Sequence, residues 1–275
     1  MFLKKIIPCL VLAFLVACSD DTSDFATRPS SGVTPKSSDS ETSVSSGVSD
    51  LSNRVVGCKT ETRDKCVYGE LLDERDGQTY RTVKMGEHWW MAENLNYALL
   101  QPTESLDSSS FCYNDSLEYC DTYGRLYLKS GAMDSAGTWS NGGLNCGYDV
   151  KCSPKEPVRG VCPEGWHVPS DDDWKALFAV VGDSSLVPLA LKSASGWWVI
   201  DNGMDVFGFA ILPSGIRRHV GDYYSIGKAT SYWSSTELSR TTSSFINIYT
   251  NDGYDYWKTA YKNYAFPVRC VKDDE

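Results

Sequence analysis

Two groups of side chains in this sequence are suited to meeting a ligand. Asn251, Asp252 and Asp255, with Glu237 and Asn247 upstream, are hard oxygen donors near loop ends, the kind of ligand a calcium ion takes. Among them stand Tyr254, Tyr256 and Trp257, inside a segment that also holds Tyr223, Tyr224, Tyr232, Trp233, Phe245, Tyr249, Tyr261 and Tyr264. Aromatic faces stack on sugar rings while their polar tips bond hydroxyls, so the exposed members of such a segment would make a glycan platform. Strand alternation buries every second ring, so much of the segment is packing; Tyr254, Tyr256 and Trp257, beside Asn251, Asp252 and Asp255, are the exposed candidates. Asn and Asp also form turns for purely local reasons, which explains most of the acidic set without a metal. Calcium is therefore the one cofactor to consider, and no catalytic residue stands out. The chain has no G-x-S-x-G, H-E-x-x-H or G-x-x-x-x-G-K-[ST]. His167, next to Trp166 and near Pro169, reads as a structural hydrogen-bonder.

The cysteines form a third chemical group. Apart from Cys9 and Cys18 there are eight, at 58, 66, 112, 120, 146, 152, 162 and 270. An even set in an exported chain reads as a disulfide framework. Eight cysteines allow 105 pairings in principle. Nearness in sequence suggests Cys58–Cys66, Cys112–Cys120 and Cys146–Cys152, which leaves Cys162 for Cys270. A zinc site is the rival, but there is no C-x-x-C pair and His88, His167 and His219 are far apart in sequence.

Export is expected from the first 17 residues. Lys4 and Lys5 precede the apolar run 6–17, which is too short to span a bilayer and has the form of a secretory signal. Leu15-Val16-Ala17-Cys18 resembles the bacterial lipobox, which implies lipidation at Cys18 and a protein held on a membrane by acyl chains without crossing it. Ser19-Asp20-Asp21 is similar to the start of lipoproteins displayed on the outer surface of some Gram-negative groups, so the expected place is the outer membrane, exposed at the cell surface. Residues 19–50 hold eleven serines and four threonines with Phe25 as the one aromatic, a composition that cannot offset chain entropy by burial. As a flexible tether this segment would reach roughly 30 Å. The expected organisation is thus a signal peptide over 1–17, a lipid-anchored tether over 18–50 and one domain over 51–275. A formal charge of −10 argues against nucleic acid, whose phosphates attract Lys and Arg patches.

The elements that must position these residues are organised around 160–182. Ser170 is a good N-cap, Asp173 can return a carboxylate to the cap, and Asp171 and Asp172 suit the positive end of a helix dipole. Trp174, Leu177, Phe178 and Val181 then form one apolar stripe, and Gly182 supplies the stop. Strands are expected at 79–85 and 88–91 around a Gly86-Glu87 turn, and short helices over 123–133 and 185–193, the latter with Pro188 in its first turn. Beyond Gly196 the expected strands are 206–212, 232–235, 245–249, 254–257 and 266–271.

Blocks spread along the chain carry a family resemblance. D-G-Q-T-Y-R-T-V-K-M-G at 76–86, W-W-M-A-E-N-L-N-Y at 89–97, Y-G-R-L-Y at 123–127, A-M-D-S-A-G-T-W-S at 132–140, P-V-R-G-V-C-P-E-G-W-H-V-P-S at 157–170, F-G-F at 207–209, L-P-S-G at 212–215, W-S-S-T-E at 233–237 and P-V-R-C-V-K-D at 267–273 resemble the Fibrobacter succinogenes major paralogous domain family. The resemblance implies export and frequent lipidation and brings no catalytic residue. More faintly, W-H-V-P-S-D-D-D-W at 166–174 and P-V-R-C-V at 267–271 are similar to blocks of formylglycine-generating-enzyme-like domains. This second likeness implies an α+β, C-type-lectin-like fold: a twisted antiparallel sheet, two or three helices and long disulfide-stapled loops, with first and last strands adjacent. It would also admit an oxidoreductase that needs free cysteines. The expected role is a surface domain that binds an extracellular polysaccharide or a partner protein without catalysis, with a structural surface-assembly component as a further alternative.

Overall fold

The structure is a computed structural model describing residues 55–102, 108–198, 202–250 and 254–274, apart from the side chains of 254–257. The tether and Cys18 lie outside the described residues. The strands are β1 (Lys59–Thr60), β2 (Arg63–Asp64), β3 (Tyr68–Asp73), β4 (Gln78–Met85), β5 (His88–Met91), β6 (Ser110–Phe111), β7 (Leu126–Leu128), β8 (Trp166–His167), β9 (Ser214–Arg217), β10 (Tyr223–Ile226), β11 (Ala229–Glu237), β12 (Thr242–Tyr249), β13 (Tyr254–Tyr261), β14 (Ala265–Phe266) and β15 (Val271–Lys272). The helices are α1 (Leu117–Tyr123), α2 (Lys129–Ala132), α3 (Asp171–Val181) and α4 (Val187–Leu191).

The protein is α+β, but its strands make more than one sheet. Besides the β1–β2 hairpin there is a five-stranded sheet, ordered β3-β4-β5-β15-β8, and an eight-stranded one, ordered β13-β12-β11-β9-β14-β7-β6 with β10 on β9. Pairing is antiparallel except between β9 and β11, where Gly215 lies opposite Thr230 in parallel register. The last strand sits between β5 and β8 rather than beside the first. Met85 pairs with His88, so Gly86 and Glu87 make the expected two-residue turn, with Gly86 at φ 61°.

Four further expectations are corrected. The helix expected over 123–133 is split: Gly124, at φ 74°, ends α1, the buried triplet Leu126-Tyr127-Leu128 becomes a strand, and only the single turn of α2 follows. With α4, which follows a 3₁₀ turn at Ser184–Leu186, the described residues hold four helices rather than two or three. Residues 206–212 form no strand; Asp205 turns the chain at φ 47° and only Ile211 bridges, to Lys192. Residues 266–271 are not one strand either. Phe266 pairs with Tyr127 in the larger sheet, Val271 pairs with Trp90 and His167 in the smaller, and Pro267 between them has no N–H to give a ladder.

That crossing places one residue at the junction of the sheets. Arg269 is fully buried and its guanidinium donates through Nε to Asn94 Oδ1 at 2.8 Å, through Nη2 to the Ala210 carbonyl at 2.7 Å and through Nη1 to the Phe209 carbonyl. Tyr232 donates to the same Asn94 oxygen at 2.9 Å, and the rings of Phe209 and Tyr232 lie 4.6 and 5.7 Å from the guanidinium carbon. Beside it, Cys162–Cys270 closes a separation of 108 residues. In the chain-entropy model such a loop is worth about 4–5 kcal/mol. The other bridges are Cys58–Cys66, Cys112–Cys120 and Cys146–Cys152.

Helix α3 packs beside this junction. Ser170 Oγ accepts from the Asp173 N–H at 3.2 Å and Asp173 Oδ2 accepts from the Ser170 N–H at 2.8 Å, a complete capping box. Trp174, Leu177, Phe178 and Val181 are all buried, and the Trp174 ring lies 5.0 Å from Trp90 and 5.5 Å from Tyr232. Burying each of these side chains contributes roughly 1.5–3 kcal/mol as an upper figure. Successive residues of β11 serve different cores: Tyr232 joins the α3 cluster, whereas Trp233 packs with Phe266 and Tyr127 on the other face.

His167 ties the helix cap to the C-terminal strand. Its Nδ1 lies 2.6 Å from Asp273 and its Nε2 3.6 Å from Asp173. Burial pulls the imidazole pKa down, but the two carboxylates outweigh it and raise the pKa above 6.5. For Asp173, burial pushes the pKa up, and the bonds from His167 and Ser170 bring it below the usual value of 3.8. A raised folded-state histidine pKa stabilises fully below the unfolded value and is lost as pH rises through the folded one. The lowered Asp173 pKa stabilises above the unfolded value and is lost on acidification. Thermal melts across about pH 5 to 8 should therefore show Tm falling on the alkaline side for the parent, and His167→Gln should remove that slope.

Candidate functional site

The ligand-binding candidates lie at the β12–β13 hairpin. Asn251 and Asp252 are outside the described residues. Tyr254 and Asp255 occupy β13 opposite Ile248 and Asn247, but the side chains of Tyr254, Asp255, Tyr256 and Trp257 are outside the description. Of these candidates the structure describes the backbone of Tyr254, Asp255, Tyr256 and Trp257 in β13. Two other oxygen donors of the calcium set are committed elsewhere. Glu237 pairs with Lys262 at 2.5 Å, and Asn247 Oδ1 accepts from the Ser231 hydroxyl at 3.0 Å. Among the described residues no group of three or more His, Cys, Asp or Glu is placed to hold a metal ion.

The described end of β13 carries an aromatic surface of its own. Tyr261 closes the strand half-exposed, at 50 % of its full accessibility. Tyr264 follows in a tight turn, its N–H bonded to the Tyr261 carbonyl at 3.0 Å, and the two rings are near parallel at 17° with centroids 6.4 Å apart. The β9–β10 loop brings His219 against both rings, 5.9 Å from Tyr261 and 5.3 Å from Tyr264. Tyr224, 56 % exposed, is the second residue of β10, beside that loop.

Each half of this rim is built by a local device. In the β9–β10 loop the Arg218 N–H bonds the Asp222 carbonyl at 2.8 Å, Gly221 takes φ 96°, and the Arg218 guanidinium bonds Asp222 while lying 5.0 Å from the Tyr224 ring. Both charged partners are solvent-exposed, so the ion pair orients the ring more than it stabilises the fold. Arg218 bonding holds the Asp222 carboxyl below its usual pKa. In the β13–β14 turn the anchor is Lys262. Its ammonium turns inward and is buried, donating to the carbonyls of Val150 at 2.8 Å and Gly147 at 3.2 Å and to Glu237 Oε1 at 2.5 Å. All three protons are thereby used. The same bonds fasten the Cys146–Cys152 loop to the sheet.

A second buried lysine lies nearby. Lys129 donates to the Ser234 carbonyl beneath the Trp233 ring, and burial drives its pKa down to about 7, with Glu237 opposing. Neither lysine was anticipated, since a lone Lys in sequence reads as solvated surface. His219 was noted only as one of three scattered histidines; its place beside Tyr261 depends on β9 and β14 pairing at Arg217 and Ala265.

The eight cysteines at 58–270 are all in disulfides, so thiol chemistry finds no free cysteine among the described residues. The Fibrobacter succinogenes major domain matches the chain over residues 83–272. No curated protein and no solved structure matches it.

Replacing Lys262 tests the anchor of the rim. Lys262→Met leaves Glu237 buried and uncompensated, an effect of about 3–5 kcal/mol on unfolding free energy. Adding Glu237→Leu should restore part of that stability in urea unfolding, because the unpaired carboxylate is then gone while the Gly147 and Val150 carbonyls still lack their donor.

Proposed function

The chain belongs to the Fibrobacter succinogenes major domain family, and on that premise we propose that it is an exported, lipid-anchored protein of the cell surface that binds extracellular polysaccharide without catalysis. One observation carries the reading: the rings of Tyr261 and Tyr264 lie near parallel with His219 against both at one corner of the larger sheet, over a turn held from within by Lys262, and Tyr224, 56 % exposed, stands on neighbouring β10 against Arg218. Rings fixed this way lose little conformational freedom when a sugar stacks on them, and their hydroxyls and the imidazole offer hydrogen bonds at the ring edges. Tyr254, Tyr256 and Trp257 would extend the platform along the same strand, with calcium at Asn251 and Asp252 as an optional ligand. Lipidation at Cys18 and the serine-rich tether would hold this surface clear of the outer membrane. A C-type-lectin-like arrangement is supported by the mixture of antiparallel sheets, few helices and stapled loops.

The test is retention of the detergent-solubilised full chain on insoluble cellulose, xylan, mannan and pectin, each with and without a chelator. Saturable retention on at least one polymer is expected, falling about tenfold or more in Tyr224→Ala/Tyr261→Ala with Tm unchanged. Loss under chelation would assign calcium to the hairpin. No retention on any polymer would contradict the proposal and favour a protein partner or surface assembly.

A further inference from the structure

The outer face of the five-stranded sheet, away from the aromatic rim, holds a polar groove. It consists of two adjoining clefts of about 210 and 570 Å³ that share Thr79 and Glu93. The smaller is walled by Gln78 and Asn96 on one side and by Asp121, Thr122 and Tyr123 of α1 on the other. The larger runs past Arg81 to Tyr68 and Glu70. Thr79 and Arg81 are two apart on β4, so both side chains stand on this outer face.

Several polar groups in the groove are unspent. Asn96 Oδ1 is buried and has no hydrogen-bond partner, although the residue lines the cleft. An unpaired buried acceptor is costly, and a ligand donor would relieve it. Arg81 stands opposite Glu70 in register yet makes no ion pair among the described residues; its guanidinium only lies 5.7 Å from the Tyr68 ring. Glu93 uses Oε2 to accept the Arg81 backbone N–H at 2.6 Å. Asp121 is exposed on α1.

The charges decide the class of ligand. An anion would meet Asp64, Glu70, Glu93 and Asp121, and a cation would meet Arg81 and Lys59, the latter already paired with Asp205. A neutral molecule that both donates and accepts, with an apolar ring face for Tyr68 at one end and Tyr123 at the other, satisfies all of them. We propose that this groove is a second binding site, independent of the aromatic rim, and that it takes a short neutral saccharide through Asn96, Arg81, Glu93 and Asp121.

The experiment is saturation-transfer NMR on the detergent-solubilised full chain, titrated with cellobiose, xylobiose and mannobiose. At least one disaccharide should give a saturable signal. Arg81→Ala and Asp121→Ala, both truncations of exposed side chains outside the core, should each weaken it about tenfold or more while leaving Tm and retention on insoluble polymer unchanged. Tyr224→Ala/Tyr261→Ala should leave disaccharide binding intact. The proposal is overturned if no disaccharide saturates, if binding survives both groove variants, or if it disappears in the rim variant instead.

Discussion

A buried arginine without a carboxylate partner among the described residues is the constraint on which the rest of this structure depends. Arg269 uses Nε, Nη1 and Nη2 on one side-chain oxygen and two backbone carbonyls, and its guanidinium carbon lies 4.6 and 5.7 Å from the centroids of two rings. Burial lowers its pKa, and the guanidinium keeps its proton because its intrinsic basicity is so high. A lysine in that place could not reach three acceptors in a planar fork. The groups that receive it come from three distant blocks: Asn94 after β5, Phe209 and Ala210 in the turn-rich segment before β9, and Tyr232 on β11. The two larger sheets are thus fastened where the chain passes from one to the other, and Cys162–Cys270 locks the neighbouring residue.

With the interior fastened in this way, the surfaces are free to specialise. The corner that displays Tyr261 and Tyr264 is held by Lys262 pointing inward, and the cap of α3 is held by His167 reaching toward the final residues. In both places an ionisable side chain, rather than extra apolar area, sets where a turn sits. This suits a domain rich in long irregular loops, because loop carbonyls such as those of Gly147 and Val150 need donors that no ladder supplies. The rim and the groove lie on different sheets and use different chemistry, rings in one and unspent polar groups in the other.

Local signals in the sequence were reliable wherever the physics is local. The stripe from Trp174 to Val181, the capping box at Ser170 and Asp173 and the Gly86-Glu87 hairpin all depend on residues within a few positions of one another, and each is present. The short disulfides are legible for the same reason. The segment 123–133 misled because its apolar content suits a helix, whereas the two-residue spacing of Leu126 and Leu128 is that of a strand, and β6 and β14 supply the pairing from elsewhere. Segment 206–212 is apolar because it plugs the core, with Phe209 buried against Trp90, and apolar content alone does not make a strand. Lys129, Lys262 and Arg269 were illegible as interior groups, since their partners lie far away along the chain: Ser234 is 105 residues from Lys129 and Asn94 is 175 from Arg269. His219 and the groove were missed on the same ground, both being assembled by strand order.

The measurement that bears most directly on this account is urea unfolding of Arg269→Lys, monitored by tryptophan fluorescence and by circular dichroism. If the guanidinium fork joins the sheets into one cooperative unit, the variant should lose about 3 kcal/mol or more, as unmet buried acceptors cost, with the two probes still coincident or the rim-bearing sheet separating first. A loss below about 1 kcal/mol, within the range of an ordinary surface substitution, would show that Arg269 is an incidental passenger in a core held by apolar packing alone.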